Sequence, residues 1–150
     1  MESIIAKSST RVATHTNKNV NRVILKDTVS ELEKVGFDSQ KINNRLQELD
    51  REWDIERAIE ANAASLALIG LALGATLNKK WFILPTVVAG FLLQHAVQGW
   101  CPPIPILRRL GFRTPREIEN ERAILIARRG DFEKIKNVSS NEALNRMNDQ

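Results

Sequence analysis

The chain has 150 residues, enough for one small domain or for a core with tails. It carries 22 Lys and Arg residues against 18 Asp and Glu residues, and the net charge of +4 indicates no particular anionic partner. Tyrosine is absent and aromatic residues make up 5% of the chain, so we expect no nucleic acid partner that needs stacked bases. The single cysteine excludes an internal disulfide.

The N-terminal part of the chain divides into two predicted regions. Residues 1–26 are rich in Ser, Thr, Asn and Lys, which is typical of a flexible tail. Residues 27–57 are predicted to be a charged amphipathic helical region. Within it Gly36 is placed to end one helix, and Asp38 or Ser39 to cap the next.

An apolar stripe at helical spacing follows the second cap and consists of Ile42, Leu46, Leu49 and Trp53. We predict that this stripe packs on a neighbouring helix or on a second copy, with attachment to a membrane surface as the alternative. No Gly or Pro separates the stripe from the next region, so the helix is predicted to continue through Ile55 and Ile59.

Residues 58–97 form an apolar block whose only charged residues are one glutamate and the pair Lys79-Lys80. Its two apolar runs, 61–77 and 81–97, would each be about 26 Å long as helices, close to the thickness of a bilayer core. The connection of three residues makes the two helices antiparallel neighbours. The sequence therefore predicts an all-α integral membrane hairpin of two transmembrane helices, flanked by amphipathic cytoplasmic helices. A soluble core is the alternative, but the tails have little apolar surface to enclose it.

Small residues recur along one face of the first run, at Ala63, Ala67, Gly70 and Gly74. In a bilayer the hydrophobic effect does not drive helices together, so their attraction has to come from close packing of the backbones. The face is predicted to pack either within the hairpin or between two copies. The expected partners are therefore the lipid bilayer and either a second copy, giving a homodimer, or another membrane protein.

Arginines at the outer ends of the block predict its orientation. Six of them flank the block, against two lysines in the connection, which favours a plasma (cell inner) membrane protein with both termini in the cytoplasm. The arginines after the second run are predicted to contact lipid headgroups, and they are Arg108, Arg109, Arg113 and Arg116.

Three polar side chains lie within the apolar runs near their cytoplasmic ends: Asn62, Gln94 and His95. An ionisable residue in a membrane helix is a functional candidate. For His95 the main expectation is a hydrogen bond to Asn62 or to the early part of the first helix. A proton or metal role is the alternative.

Cys101 follows the second run within the sequence Gly-Trp-Cys-Pro-Pro. The prolines are expected to hold it extended at the cytoplasmic rim. It is predicted to be either a structural, reduced cysteine or a reactive thiol whose thiolate is favoured by Arg108 and Arg109. No residues form a recognisable catalytic, metal or cofactor site, so the chain is not predicted to be an enzyme.

Residues 115–150 are predicted to form a basic helix and a polar tail. Thr114, Pro115 and Glu117 match a capping box with proline at the first helical position, and Gly130 is placed to end the helix. Its arginines are predicted either to contact lipid headgroups or to form a solvated face balanced by neighbouring acids.

Residues 55–114 resemble the YgaP-like transmembrane domain family. The resemblance rests on Glu56-Arg57 before the first run, the Gly70/Gly74 helix, the Gly-Trp-Cys-Pro-Pro turn, and Leu-Gly-Phe-Arg-Thr at 110–114. It implies a helical membrane hairpin over 58–114 that pairs into dimers. It does not carry over sulfur transfer, because the chain has no rhodanese domain. We therefore expect a membrane anchor or interaction subunit that self-associates, with thiol or sulfur handling by Cys101 as the alternative.

Overall fold

The computed structural model describes residues 10–131 and residue 142, and the regular structure in that part of the chain is helical, without strands. The elements are α1 (Arg11–Thr14), α2 (Lys18–Val35), α3 (Ser39–Arg51), α4 (Ile55–Thr76), a 3-10 turn (Lys79–Phe82), α5 (Ile83–Gln98), α6 (Ile104–Arg109) and α7 (Pro115–Arg129). The prediction of an all-α protein is thus confirmed. The predicted polar tail lies almost entirely outside the described residues.

The chain forms two compact units. The first comprises Met1–Lys26 and Trp53–Glu117, and the second comprises Asp27–Glu52 and Ile118–Gln150. In the second unit the apolar faces of α2, α3 and α7 meet in one core, made of Leu32, Ile42, Leu46, Leu49, Ile118 and Leu125. The apolar stripe of α3 therefore packs on helices of its own chain and is not free to lie on a membrane.

Charged side chains surround the core of the second unit. Arg45 donates to both carboxylate oxygens of Glu121, at 2.8 and 3.3 Å, and Glu121 is fully buried. Arg122 contacts Asp50 at 2.7 Å, and Arg128 donates to the backbone carbonyl of Leu32 near the end of α2. Arg122 and Arg128 of α7 therefore bond to groups of α3 and α2 within the second unit.

The predicted continuous helix from α3 into the apolar block is wrong, because residues 52–54 are not helical. The side chain of Asp54 accepts a hydrogen bond from the backbone N–H of Arg57 at 2.8 Å and so caps a new helix, α4. Trp53 lies in this break and not on the α3 stripe.

The predicted flexible tail over residues 1–26 is wrong from Thr10 onwards, and residues 1–9 lie outside the described part. Helix α1 and the first half of α2 occupy this stretch. Val12 is buried in the core of the first unit, and Ile24 is buried as well. A few apolar side chains among many polar ones were enough to fold the segment, which average composition does not reveal.

The small-residue face packs within the hairpin. A Cβ atom at Gly70 would lie 2.5 Å from Cδ of Pro85 and 3.1 Å from Cβ of Leu84. A Cβ atom at Gly74 would lie 2.8 Å from Cδ1 of Phe82. These glycines therefore let α4 approach the 3-10 turn and α5. Along the same face Ala63 is buried and Ala67 is half-buried.

The outer surface of the hairpin is apolar. Among the described residues two helical stretches are long and apolar enough to cross a membrane, within Ser39–Thr76 and over Lys79–Gln98. Of the 18 most apolar consecutive residues, only 28% are buried in the first stretch and 6% in the second. Large apolar side chains are exposed along both helices, at Leu66, Leu68, Ile69, Leu71, Leu77, Trp81, Phe82, Ile83, Val87, Phe91 and Leu93.

Candidate functional site

Several elements of the first unit meet at the end of the hairpin opposite its 3-10 turn. A buried apolar cluster joins α1, the start of α4, and α6, and Leu92 of α5 packs against it. We call this cluster the hairpin base, and its buried members are Val12, Ile55, Ala58, Ile59, Cys101, Ile104 and Leu107. Of the residues singled out by the sequence, Cys101 belongs to the hairpin base.

A chain of three charged or polar side chains, the polar junction, adjoins the hairpin base. Glu56 of α4 contacts Nε2 of His95 at 2.6 Å through one carboxylate oxygen. Its other oxygen accepts a hydrogen bond from Arg11 of α1 at 3.1 Å. The polar junction therefore links α1, α4 and α5 by charge-assisted hydrogen bonds, which are stronger than neutral ones.

The partner of His95 is thus Glu56, in the early part of α4, and not Asn62. The side chain of Asn62 instead donates to the carbonyl oxygen of Ala58 within its own helix, at 2.7 Å. Gln94 is half-buried. Glu56 lies in the first turn of α4, about 8 Å before the first uncharged apolar run at 1.5 Å per residue. His95 is therefore level with the hairpin base.

The histidine ring is held by only one of its two nitrogens. His95 is 5% exposed, and its Nδ1 atom is buried without a hydrogen-bond partner. The contact of Nε2 with the Glu56 carboxylate therefore orients the ring from one side. The contacts of Glu56 with His95 and Arg11 cross-link three helices. Among residues 10–131 and 142, no group of three or more His, Cys, Asp and Glu side chains could hold a metal ion.

Arg108 is an internal residue, which corrects its predicted contact with lipid headgroups. It is 1% exposed and forms a bidentate pair with Glu117, at 2.7 and 2.8 Å. It also donates to the carbonyl oxygen of Phe112 at 2.9 Å and to Oδ1 of Asn21 at 2.8 Å. With these acceptors in place the guanidinium has no access to a phosphate.

The other three predicted headgroup arginines differ in exposure. Arg113 is buried, and its carbonyl oxygen accepts from the backbone N–H of Ile55 at 2.8 Å. Arg109 and Arg116 are exposed. Burial therefore removes Arg113 from the predicted headgroup contacts, and Arg109 remains at the surface. The sequence does not indicate which arginines are buried, because Arg108 and Arg109 are adjacent in α6 and yet the first is buried and the second is exposed.

Glu117 connects the buried arginine to the start of α7. It accepts from the backbone N–H of Thr114 at 2.8 Å, and its own N–H donates to Oγ1 of Thr114 at 3.2 Å, as in the predicted capping box. Burial opposes ionisation of this carboxyl, but the hydrogen bonds from Arg108 and Thr114 outweigh it and lower the pKa of Glu117.

This lowered pKa predicts a loss of stability in acid. In the unfolded chain a glutamate has a pKa of about 4.3, so the contribution of Glu117 is complete above that pH. It is lost as the pH falls through the lower pKa of the folded state. We expect the melting temperature of the detergent-solubilised protein to fall less steeply below pH 4.3 in Glu117→Gln than in the natural chain. Equal slopes for both proteins would contradict this.

Cys101 lies inside the hairpin base and is 4% exposed. Burial raises the pKa of the Cys101 thiol, which favours the neutral form. Arg108, one of the two arginines expected to favour a thiolate, is committed to Glu117. The preceding Gly99 adopts a left-handed conformation with φ of 76°, and a Cβ there would overlap the Arg11 side chain. The arrangement favours the structural interpretation of the cysteine.

The position of α1 predicts how Cys101 reacts. Val12 and Cys101 share the hairpin base, so the thiol is expected to be alkylated by a maleimide only slowly in the folded protein. Val12→Asp should speed this alkylation, because a carboxylate cannot remain in the apolar cluster. Thr14→Ala is the control, since Thr14 is exposed and its hydroxyl donates only to Thr10 within α1. Equal rates in all three proteins would contradict the expected shielding.

Comparison with known proteins adds no relative: a scan against protein-family models and searches of curated proteins and of solved structures found no match. The resemblance to the YgaP-like family and what it implies stay predictions. The functional argument therefore rests on the residues and contacts described above.

Proposed function

We propose that the protein is a membrane anchor and interaction subunit without enzymatic activity. In this proposal α4 and α5 cross the plasma membrane as a hairpin, and both termini lie in the cytoplasm. The hairpin base then lies at the cytoplasmic end of the hairpin, and the second unit lies in the cytoplasm, tied to the membrane by the chain. The observation that carries the proposal is the exposed apolar surface of the hairpin.

A helix in the core of a soluble protein has its apolar side chains enclosed by the rest of the chain. In Lys79–Gln98 only 6% of the most apolar window is enclosed. Soluble monomers rarely expose a contiguous apolar surface of this extent. Twenty helical residues span about 30 Å, which matches the hydrocarbon core of a bilayer. Lipid is the solvent that suits such a surface.

Charge distribution supports the orientation. The 3-10 turn begins with Lys79 and Lys80, whereas exposed Arg57, Arg109 and Arg116 lie in the first unit beyond the apolar runs. The larger number of arginines at that end favours the cytoplasmic side.

Cysteine labelling in cells tests the proposal. In a Cys101→Ala background, Asn78→Cys in the turn and Glu48→Cys on α3 are both exposed positions. With a maleimide that cannot cross membranes, we expect the turn to react in spheroplasts or intact cells and α3 to react only after permeabilisation. The chain should also remain in the membrane fraction after alkaline carbonate. Recovery of the chain in the soluble fraction, or the reverse labelling pattern, would overturn the proposal.

Self-association is a separate part of the proposal. The faces of Gly70 and Gly74 are occupied within the hairpin, but a Cβ atom at Gly90 of α5 would have nothing within 4 Å. Close approach of two copies would therefore use the Gly90 face. Disulfide crosslinking of Gly90→Cys in membranes should give dimers, and Ser65→Cys on the exposed side of α4 is the control. A Gly90 variant that stays monomeric would remove self-association from the proposal.

A further inference from the structure

Helix α6 has apolar side chains on two opposite sides. Ile104 and Leu107 point into the hairpin base and are buried. Ile106 and Leu110, at the end of the helix, are 63% and 70% exposed. Packing within the chain therefore accounts for one side of α6 and leaves the other side uncovered.

The uncovered side of α6 carries positive charge only. Arg109 is exposed between Ile106 and Leu110, and no acidic residue occurs over 98–116. Arg108, the neighbouring cation, is already neutralised by Glu117. This side of α6 thus presents the large aliphatic side chains of Ile106 and Leu110 next to the guanidinium of Arg109.

The uncovered side of α6 lies at the end of the hairpin where α4 begins and α5 ends. Only residues 99–103 separate α6 from α5, and α6 packs on the first turns of α4 through the hairpin base. At the start of α4 the guanidinium of Arg57 lies 4.9 Å above the ring of Trp53, which is also exposed. Tryptophan and arginine at the end of an apolar helix are typical of a membrane–water interface.

We propose that this interfacial surface, formed by Trp53, Arg57, Ile106, Arg109 and Leu110, binds the interfacial layer of the bilayer. The inference rests on the proposed function, since it concerns the membrane that the hairpin would cross. Ile106 and Leu110 enter the boundary between headgroups and acyl chains, and Arg109 binds a headgroup phosphate. The hairpin base then lies directly at the membrane surface.

Lipid fits this surface better than a protein partner. A stable protein interface needs about 800 Å² from each side, and two aliphatic side chains provide only a small part of that area. A bilayer needs no such minimum, because the hairpin already holds the surface beside the lipid and the second contact is intramolecular. The absence of acidic residues on α6 also suits anionic headgroups.

The test places an environment-sensitive fluorophore, NBD, at single cysteines of the full chain in Cys101→Ala protein reconstituted in phosphatidylcholine vesicles. Ile106→Cys reports on the interfacial surface, Leu71→Cys on the middle of the apolar run 61–77, and His15→Cys on an exposed position at the end of α1. Spin-labelled lipid quenches only fluorophores that contact the bilayer. We expect blue-shifted, quenched emission at positions 71 and 106 and water-like emission at position 15.

Each other result overturns a defined statement. Quenching at 71 with water-like emission at 106 would overturn the lipid contact of α6 and leave the proposed function standing. Blue-shifted emission at 106 without quenching would mean that protein covers α6, and this too would overturn the inference. Absence of quenching at 71 would overturn the proposed function and the inference together.

The charge on α6 is tested by lipid composition. Adding phosphatidylglycerol should increase quenching at position 106, and Arg109→Gln should weaken the bound state about fivefold, the effect of one near-surface charge. Arg22→Gln is the matched control, because Arg22 is an exposed arginine of α2 in the same unit. An equal effect of the two substitutions would overturn the assignment of a phosphate to Arg109.

Discussion

Replacing Gly70 with leucine is expected to lower the stability of the hairpin by about 3 kcal/mol or more. Even the first added atom, Cβ, would lie 2.5 Å from Cδ of Pro85 and 3.1 Å from Cβ of Leu84. The proline ring is rigid and Leu84 Cβ is fixed to the backbone, so α4 and α5 must separate. Alanine at the same position should cause a smaller loss, of about 1–3 kcal/mol.

Gly90 provides the matched control for this prediction. It is also a glycine within a helix of the hairpin, but a Cβ there meets nothing within 4 Å. Gly90→Leu should therefore leave the packing of α4 against α5 intact, and the comparison is made on monomers in dilute detergent because Gly90 also lies on the face proposed for self-association. Thermal unfolding of both variants in the same detergent, followed by circular dichroism, measures the difference. If Gly70→Leu proved as stable as Gly90→Leu, the close packing of α4 against α5 would be refuted.

Removing the charge of Arg108 is expected to lower stability by about 3–5 kcal/mol, the cost of breaking a buried ion pair from one side. Arg108→Met leaves Glu117 partly buried without its bidentate partner and leaves the Phe112 carbonyl and Asn21 without their donor. The charge of Arg108 is enclosed by the protein, so water cannot replace these bonds.

A second variant separates the ion pair from simple loss of packing. In Arg108→Met with Glu117→Gln the unpaired charge is gone, so part of the lost stability should return. The control is Lys34→Met, which breaks the exposed pair of Lys34 with Glu31 and should cost less than about 1 kcal/mol. Equal melting temperatures for Arg108→Met and Lys34→Met would show that the buried pair contributes no more than a surface pair.

Local features of the fold were predictable from sequence because they depend on neighbours along the chain. The apolar runs at 61–77 and 81–97 correspond to most of α4 and to the helical stretch that ends at Gln98. The capping box of Thr114 and Glu117 has the expected reciprocal hydrogen bonds. Gly36 and Asp38 end and begin helices as predicted, the first with a positive φ and the second with its carboxylate on two backbone N–H groups.

The candidate site was harder to predict because its contacts join residues far apart in the chain. His95 binds Glu56, and Arg11 reaches the same carboxylate from a segment that looks like a tail by composition. Arg108 binds Asn21 and Glu117. A polar side chain gives the same sequence signal whether it faces water or a buried partner, so these pairings left no periodic pattern.

The sequence by itself determined that the chain is helical, where its apolar hairpin lies, and how several helices are capped. Those properties follow from backbone hydrogen bonding and from the distribution of apolar residues along the chain. Only the tertiary structure decided that Arg108 lies inside and Arg109 outside, and that Gly70 packs within the hairpin. The physical reason is that burying a charge, or removing a side chain for close packing, is favourable only when distant segments supply the partner atoms.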